Sequence, residues 1–284
     1  MEYKCLKLEK DSGVGIISIN NPPANAISFA FVKELKAASS ELEKDDEIRC
    51  LLIRSSLKKF FCAGADLSDL PGETLNLLLV PPKDSTPMDV LKKVIPDISA
   101  RMAEVFADFH EALNTIERMR KPSIAVINGH ALGGGLELAM ACDLRYMGRG
   151  SGKIGLPEVN LGLIPLGGGT QRLPRLIGKA KAMDLLINGT KLDADEAFSI
   201  GLINRVLPED RIEEDALSQA RKLARSATLS IGIVKSCVNN GFNKDIEEGL
   251  RIERDSFKEL VKSEDLIEGV MSFMEHREPH FKGR

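Results

Sequence analysis

The sequence predicts an α/β fold followed by a helical C-terminal region. Short apolar, β-branched runs at 14–19, 50–53, 124–127, 144–147 and 202–207 alternate with stretches of helical period. From residue 209 onward only helical period is found: Ile212, Ala216, Leu217, Ala220 and Leu223, then Ile246, Leu250, Phe257 and Leu260, then Leu266, Val270, Phe273 and Met274. An α/β core at 1–207 and a helical region at 208–284 follow, with 71–97 as an insertion or lid on the core. The third observation is the stretch 123–143, where a buried strand runs through Asn128-Gly129 and three glycines into a short helix.

In chain order, the strand at 14–19 stops at Asn20-Asn21-Pro22-Pro23. Ser28 then caps a helix whose buried positions are Phe31, Leu35, Ala38 and Leu42. The strand at 50–53 leads into a loop that carries Lys58, Lys59 and Phe60-Phe61-Cys62-Ala63-Gly64-Ala65-Asp66-Leu67. Residues 71–96 hold five of the 13 prolines, and an irregular stretch of that length reads as a lid or excursion. Helical spacing resumes at Ile98, Met102, Val105, Phe109, Leu113 and Ile116 and ends before Pro122. Beyond the glycines the pattern predicts helices over 136–140, 170–176, 179–187 and 193–200, the second of these ended by Gly178.

Composition narrows the function. The 284 residues are 43% hydrophobic and 29% charged, ordinary for a globular chain. Trp is absent, aromatics reach only 5%, and the net charge is -3, so neither base stacking nor a basic field points to nucleic acid. Five scattered cysteines without a C-x-x-C pair argue against a disulfide framework or a zinc site and suit a reducing compartment. With no signal-peptide pattern and no apolar run near the ~20 residues of a membrane helix, the expectation is a cytoplasmic protein without a membrane partner.

Two glycine turns and two acids carry the chemistry. Gly133-Gly134-Gly135 removes every Cβ where strand becomes helix, so backbone amides there approach a ligand with a helix N-terminus behind them. The Ala63-Gly64-Ala65 turn offers a second free amide, and two amides aimed at one oxygen form an oxyanion hole. Glu137 and Glu158 are the acids; two carboxylates at one site hold a water and pass protons when their environments push their pKa values apart. Each piece also has a plain reading: glycine for helix–strand packing, Glu137 as a dipole partner, Glu158 as a loop acid, and the lysines as solvated surface. Asp143 reads as structural. Position 138 is Leu, which breaks the G-x-G-x-x-G fingerprint, and the Walker and G-x-S-x-G patterns are absent. The four histidines show no metal-ligand spacing, although His130 lies near the turn.

Phe61 to Leu67, Ile127-Asn128-Gly129 through Gly135 to Met140, and Gly155 through Arg172 together resemble the enoyl-CoA hydratase/isomerase (crotonase) family, and the likeness runs over nearly the whole chain. The resemblance implies a spiral of repeated β-β-α units, C-terminal helices that build a homotrimer or dimer of trimers, and a coenzyme A thioester as substrate with no separate cofactor. The family's oxyanion-hole amides fall on Ala65 and Gly134, and its catalytic glutamates on Glu137 and Glu158. Its acyl-CoA segment falls on Ala65, Asp66, Leu67 and Ser68, its adenine and pantetheine loop on Ala24, Asn25 and Ala26, and its adenine-contacting backbone on Ala63. Lys58 and Lys59 stand as phosphate contacts.

Members that keep both glutamates are typically hydratases, so the resemblance implies water addition to a 2-enoyl-CoA, as in fatty-acid β-oxidation. Glu158 would serve as acid/base at the α-carbon and Glu137 would act on the water. The long segment 71–97 and one extra residue in 149–153 depart from the family pattern. They imply an altered acyl pocket and keep a cyclic dienoyl-CoA hydratase as an alternative; within the family an enoyl-CoA isomerase and a ring-opening hydrolase are the other rivals.

Overall fold

The computed structural model describes residues 3–65, 82, 85–150 and 152–284, so the expected contacts at Asp66, Leu67 and Ser68, and most of the 71–86 stretch, lie outside the described residues. Two sheets organise the chain. The larger has the order β1 (Leu6–Asp11), β2 (Val14–Ile19), β3 (Cys50–Ser55), β5 (Ser123–Ile127), β7 (Leu144–Arg149), β10 (Arg205–Pro208). Only the β1–β2 hairpin is antiparallel; the remaining pairs are parallel. The smaller sheet has the order β4 (Phe60–Cys62), β6 (His130–Leu132), β8 (Ile154–Gly155), β9 (Lys191–Leu192), parallel except for β9.

The spiral expected from the resemblance is visible in this order. Each turn of chain adds one strand to the large sheet (β3, β5, β7) and the next to the small one (β4, β6, β8). Parallel strands need long crossovers, which the helices supply. These are α1 (Phe29–Lys44), α2 (Pro87–Arg118) and α3 (Gly134–Ala141). Downstream follow α4 (Gly169–Ile177), α5 (Lys179–Asn188), α6 (Ala194–Ser199), α7 (Ile212–Arg225), α8 (Thr228–Gly241), α9 (Ile246–Leu260) and α10 (Glu264–Met274).

Local chemistry accounts for the helix starts. The Ser28 hydroxyl accepts from the Phe31 amide at 3.1 Å, as its N-cap position predicts. The helix expected from Ile98 begins eleven residues earlier, at Pro87. Thr86 and Asp89 form a reciprocal capping box there, and Pro87 fits the first turn, where no N–H is needed. Part of the irregular 71–97 stretch is therefore helical, and Pro96 lies within the helix rather than before it.

One core cluster lies between the large sheet and the α1–α2–α3 side, built on Ile17, Phe31, Leu35, Ile53, Phe61, Leu113 and Ile127. A second cluster covers the opposite face, where Ile212, Ala216, Ala220 and Ala224 of α7 meet Val14, Leu52, Ile124 and Tyr146. In packing terms α7 thus belongs to the core, although it lies beyond residue 207. Asp143 is structural: Ser123 donates to its Oδ2 from both N and Oγ at 2.8 Å, and the buried Lys235 ammonium adds a third contact at 2.8 Å.

Candidate active site

The site assembles at the C-terminal ends of three parallel strands of the small sheet, where a parallel sheet leaves a crevice for ligands. The end of β4 supplies the Ala63–Ala65 turn, the end of β6 supplies Gly133, Gly134 and then Glu137 of α3, and the end of β8 leads to Glu158. All converge on one cavity of about 220 Å³. Its remaining walls are apolar and include Ile27, Val105, Phe106, Phe109, Leu161 and Leu166. The two carboxylates are the only ionisable side chains among the described residues that line it.

The glycines have distinct reasons. Gly133 takes φ +55, and a Cβ there would stand 2.9 Å from Oε1 of Glu158. At Gly135 a Cβ would meet the Cys62 carbonyl oxygen at 2.2 Å, so α3 can lie against β4 only with glycine at that point. Among the described residues the amides of Ala65 and Gly134 have no protein acceptor, and both border the cavity. The turn that bears Ala65 is anchored by Ile27 N donating to Gly64 O at 2.7 Å and Ala63 N donating to Ala24 O at 3.1 Å.

The two acids differ in environment. Glu137 is 2% exposed, and its Oε1 accepts from the Gly169 amide at 2.6 Å. Burial pushes its carboxyl up, while the Gly169 and Gly167 amides and the Arg172 charge pull it back towards ionisation. Glu158 sits in a short 3-10 turn, Glu158–Leu161, after Pro157. Burial and the neighbouring Glu137 charge raise it to about 7, and its buried Oε2 has no hydrogen-bond partner among the described residues. A carboxyl raised to about 7 and a more deeply buried carboxyl whose charge is supported by amides and Arg172 stand in one pocket, an arrangement that suits acid/base work.

Other expected contacts fall in different places. Asn25 is fully buried at φ +54; its Nδ2 donates to Ser55 Oγ at 2.7 Å and Phe61 O at 3.1 Å, and its Oδ1 accepts from Asn21 N at 2.7 Å. Its side chain braces the loop, and Ala24, Asn25 and Ala26 are not among the residues that line the cavity. Lys58 and Lys59 are exposed and, among the described residues, form no ion pair. His130 lies outside the cavity lining: its Nδ1 accepts from Lys153 N at 3.0 Å and its ring packs 5.5 Å from Phe60. The residues missed by sequence reasoning are Gly167 to Gly169 and Arg172. Their run of glycines ahead of Thr170-Gln171-Arg172 is visible in the sequence, but nothing there shows that it folds over Glu137.

A pocket with two carboxylates and two unpaired amides defines a protein that works on a polarised, carbonyl-bearing substrate. Comparison with known proteins gives the class a family. The sequence profile described as enoyl-CoA hydratase/isomerase matches residues 9–83 and 89–284. A crotonyl-CoA hydratase of Syntrophomonas wolfei is 35% identical over 99% of this chain and 99% of its own. The mitochondrial methylglutaconyl-CoA hydratase of Mus musculus is 35% identical over 97% of this chain and 81% of its own. The crystal structure of an enoyl-CoA hydratase from Geobacillus kaustophilus superposes with a TM-score of 0.85 at 36% identity, over 100% of this chain and 98% of that one. The chain belongs to the enoyl-CoA hydratase/isomerase family and has its crotonase fold.

Proposed function

We infer that the protein is a hydro-lyase that adds water across the 2,3 double bond of an enoyl-CoA thioester to give a 3-hydroxyacyl-CoA. The observation that carries this is the meeting of Glu137, Glu158 and the Ala65 and Gly134 amides on one apolar cavity. The thioester oxygen accepts from the two amides, which stabilise the enolate-like charge that develops on it. Glu137, ionised, takes a proton from water as its oxygen bonds to the β-carbon. Glu158, protonated, gives a proton to the α-carbon, and the proton on Glu137 then passes to Glu158, directly or by exchange through solvent, to restore the pair. The presence of two acids beside room for water favours hydration over isomerisation, which shuttles a proton without it.

Coenzyme A enters as part of the substrate, with no further cofactor, and the exposed Lys58 and Lys59 suit its phosphates. The C-terminal helices leave Val238, Phe242, Ile246, Phe257, Ile267 and Phe273 each more than half exposed, a face that fits association into trimers, singly or in pairs. No helix among the described residues is long and apolar enough to cross a membrane. The five cysteines are free, which suits a cytoplasmic place in fatty-acid β-oxidation.

Purified protein offered crotonyl-CoA, methylglutaconyl-CoA and longer straight, branched and cyclic enoyl-CoAs tests the assignment by loss of the conjugated double bond. Glu137→Gln and Glu158→Gln should each lose most turnover while retaining thioester binding. Undiminished hydration in both variants, or wild-type isomerisation without water addition, overturns it.

A further inference from the structure

Glu137 depends on a loop that α3 does not own. Residues 166–169 run over its carboxylate, with the Gly169 amide on Oε1 and the Gly167 backbone so close that a Cβ there would meet Oε2 at 2.4 Å. Arg172, one turn along α4, fastens that loop from outside the cavity. Its Nη1 donates to Gly167 O at 2.9 Å, and its Nη2 donates to Asn114 Oδ1 at 2.9 Å and Glu117 Oε2 at 2.8 Å. His110, one turn before Asn114 on the same face of α2, contacts the Leu166 carbonyl through Nε2. The Arg172 side chain is 10% exposed and is not among the residues that line the cavity.

We propose that Arg172 is a positioning residue for Glu137: held by Asn114 and Glu117 of α2, it fixes the 166–169 loop so that the Gly167 and Gly169 amides hold the carboxylate towards the cavity. The inference rests on the hydratase reading for its kinetic part only. The charged groups facing Glu137 are Arg172 from α4 and Glu158 from the turn after β8; Glu117 faces Arg172 in turn. The Arg172 charge also favours the ionised form of Glu137, which would otherwise be buried with its burial penalty less opposed. Arg is suited to this place because its planar fork reaches a carbonyl, an amide oxygen and a carboxylate at once, which a lysine ammonium on a flexible stem does not.

The test is a pH profile of hydration for wild type, Arg172→Gln, Arg172→Lys and Asn114→Ala. For Arg172→Gln, kcat falls on the order of 10- to 100-fold with KM little changed, and the acid limb of the kcat profile moves up by about one pH unit or more. Arg172→Lys, which keeps the charge, recovers the acid limb but not the full kcat. Asn114→Ala removes one tether and lowers kcat with an unchanged thermal midpoint, which covers the case in which Arg172→Gln fails to fold.

An infrared titration of the carboxyl band that Glu137→Gln removes reports Glu137 directly, whatever reaction the enzyme performs. That band should titrate at higher pH in Arg172→Gln. An unmoved band and acid limb, or Arg172→Lys no better than Arg172→Gln, refutes the proposal. A wild type that hydrates nothing refutes the hydratase reading, and the infrared titration still decides the role of Arg172.

Discussion

Glu158 is the group whose charge this pocket opposes most openly, and Glu158→Gln turns that into a two-sided prediction. The substitution keeps the shape of the side chain and removes its titration. Burial and Glu137 raise the carboxyl from 4.5 to about 7. The folded chain therefore holds this proton more tightly than the unfolded chain does. The resulting stabilisation is complete below the unfolded value and is lost as pH rises through about 7. A span of about 2.5 pH units at ~1.36 kcal/mol per unit sets an upper bound of ~3.4 kcal/mol. Solvent reaches part of the side chain, and screening reduces the effect to about 1–2 kcal/mol.

Glu158→Gln should thus gain about 1–2 kcal/mol on wild type between about pH 5 and about pH 8, a Tm gap that widens by roughly 2–6 °C. The same variant should lose about 10²- to 10⁴-fold in turnover, because the α-carbon no longer receives its proton. Thermal melts at the two pH values, with hydration measured on the same samples, check both halves. A Tm gap independent of pH, or a variant that still turns over, would refute the reasoning.

Gly133→Ala forces a side chain into φ +55 and against Glu158 Oε1, so it should cost about 1–3 kcal/mol in stability and depress turnover more than thioester binding. Activity equal to wild type would show that the turn tolerates a Cβ. Lys235→Met leaves Asp143 without its cation and should lower stability by about 3 kcal/mol in denaturant titration, with little change in KM. Phe273, 81% exposed on α10, should be covered in the assembled protein. Light scattering of Phe273→Asp should therefore show a smaller species than wild type, and an unchanged mass would remove this face from the interface.

Much of the architecture was legible because it rests on local patterns. The five strands read as apolar runs all belong to the large sheet, and in its central strands β2, β3 and β5 burial on both faces demands continuous apolar residues, whereas β10 at the edge is partly exposed and starts only at Arg205. The strands of the small sheet escaped detection because β4, β6, β8 and β9 are only two or three residues long and carry no period. The hairpin strand β1 was hidden by its alternating charges, Lys7, Glu9 and Asp11, which suit an edge strand. The start of α2 was missed because prolines obscured a capping box at Thr86 and Asp89.

The site divides in the same way. The order of residues by itself determined the candidates: a glycine-rich turn between strand and helix, a second small-residue turn, and two glutamates among small residues. Backbone geometry of that kind is written within a few neighbouring residues, so sequence suffices for it. Only the tertiary structure decided that the ends of β4, β6 and β8 deliver those groups to one cavity, that the Asn25 side chain braces its loop, and that Arg172 reaches across from α4 to α2. Burial and charge proximity between residues distant in the chain set the protonation of Glu137 and Glu158, and those are properties of the folded arrangement alone.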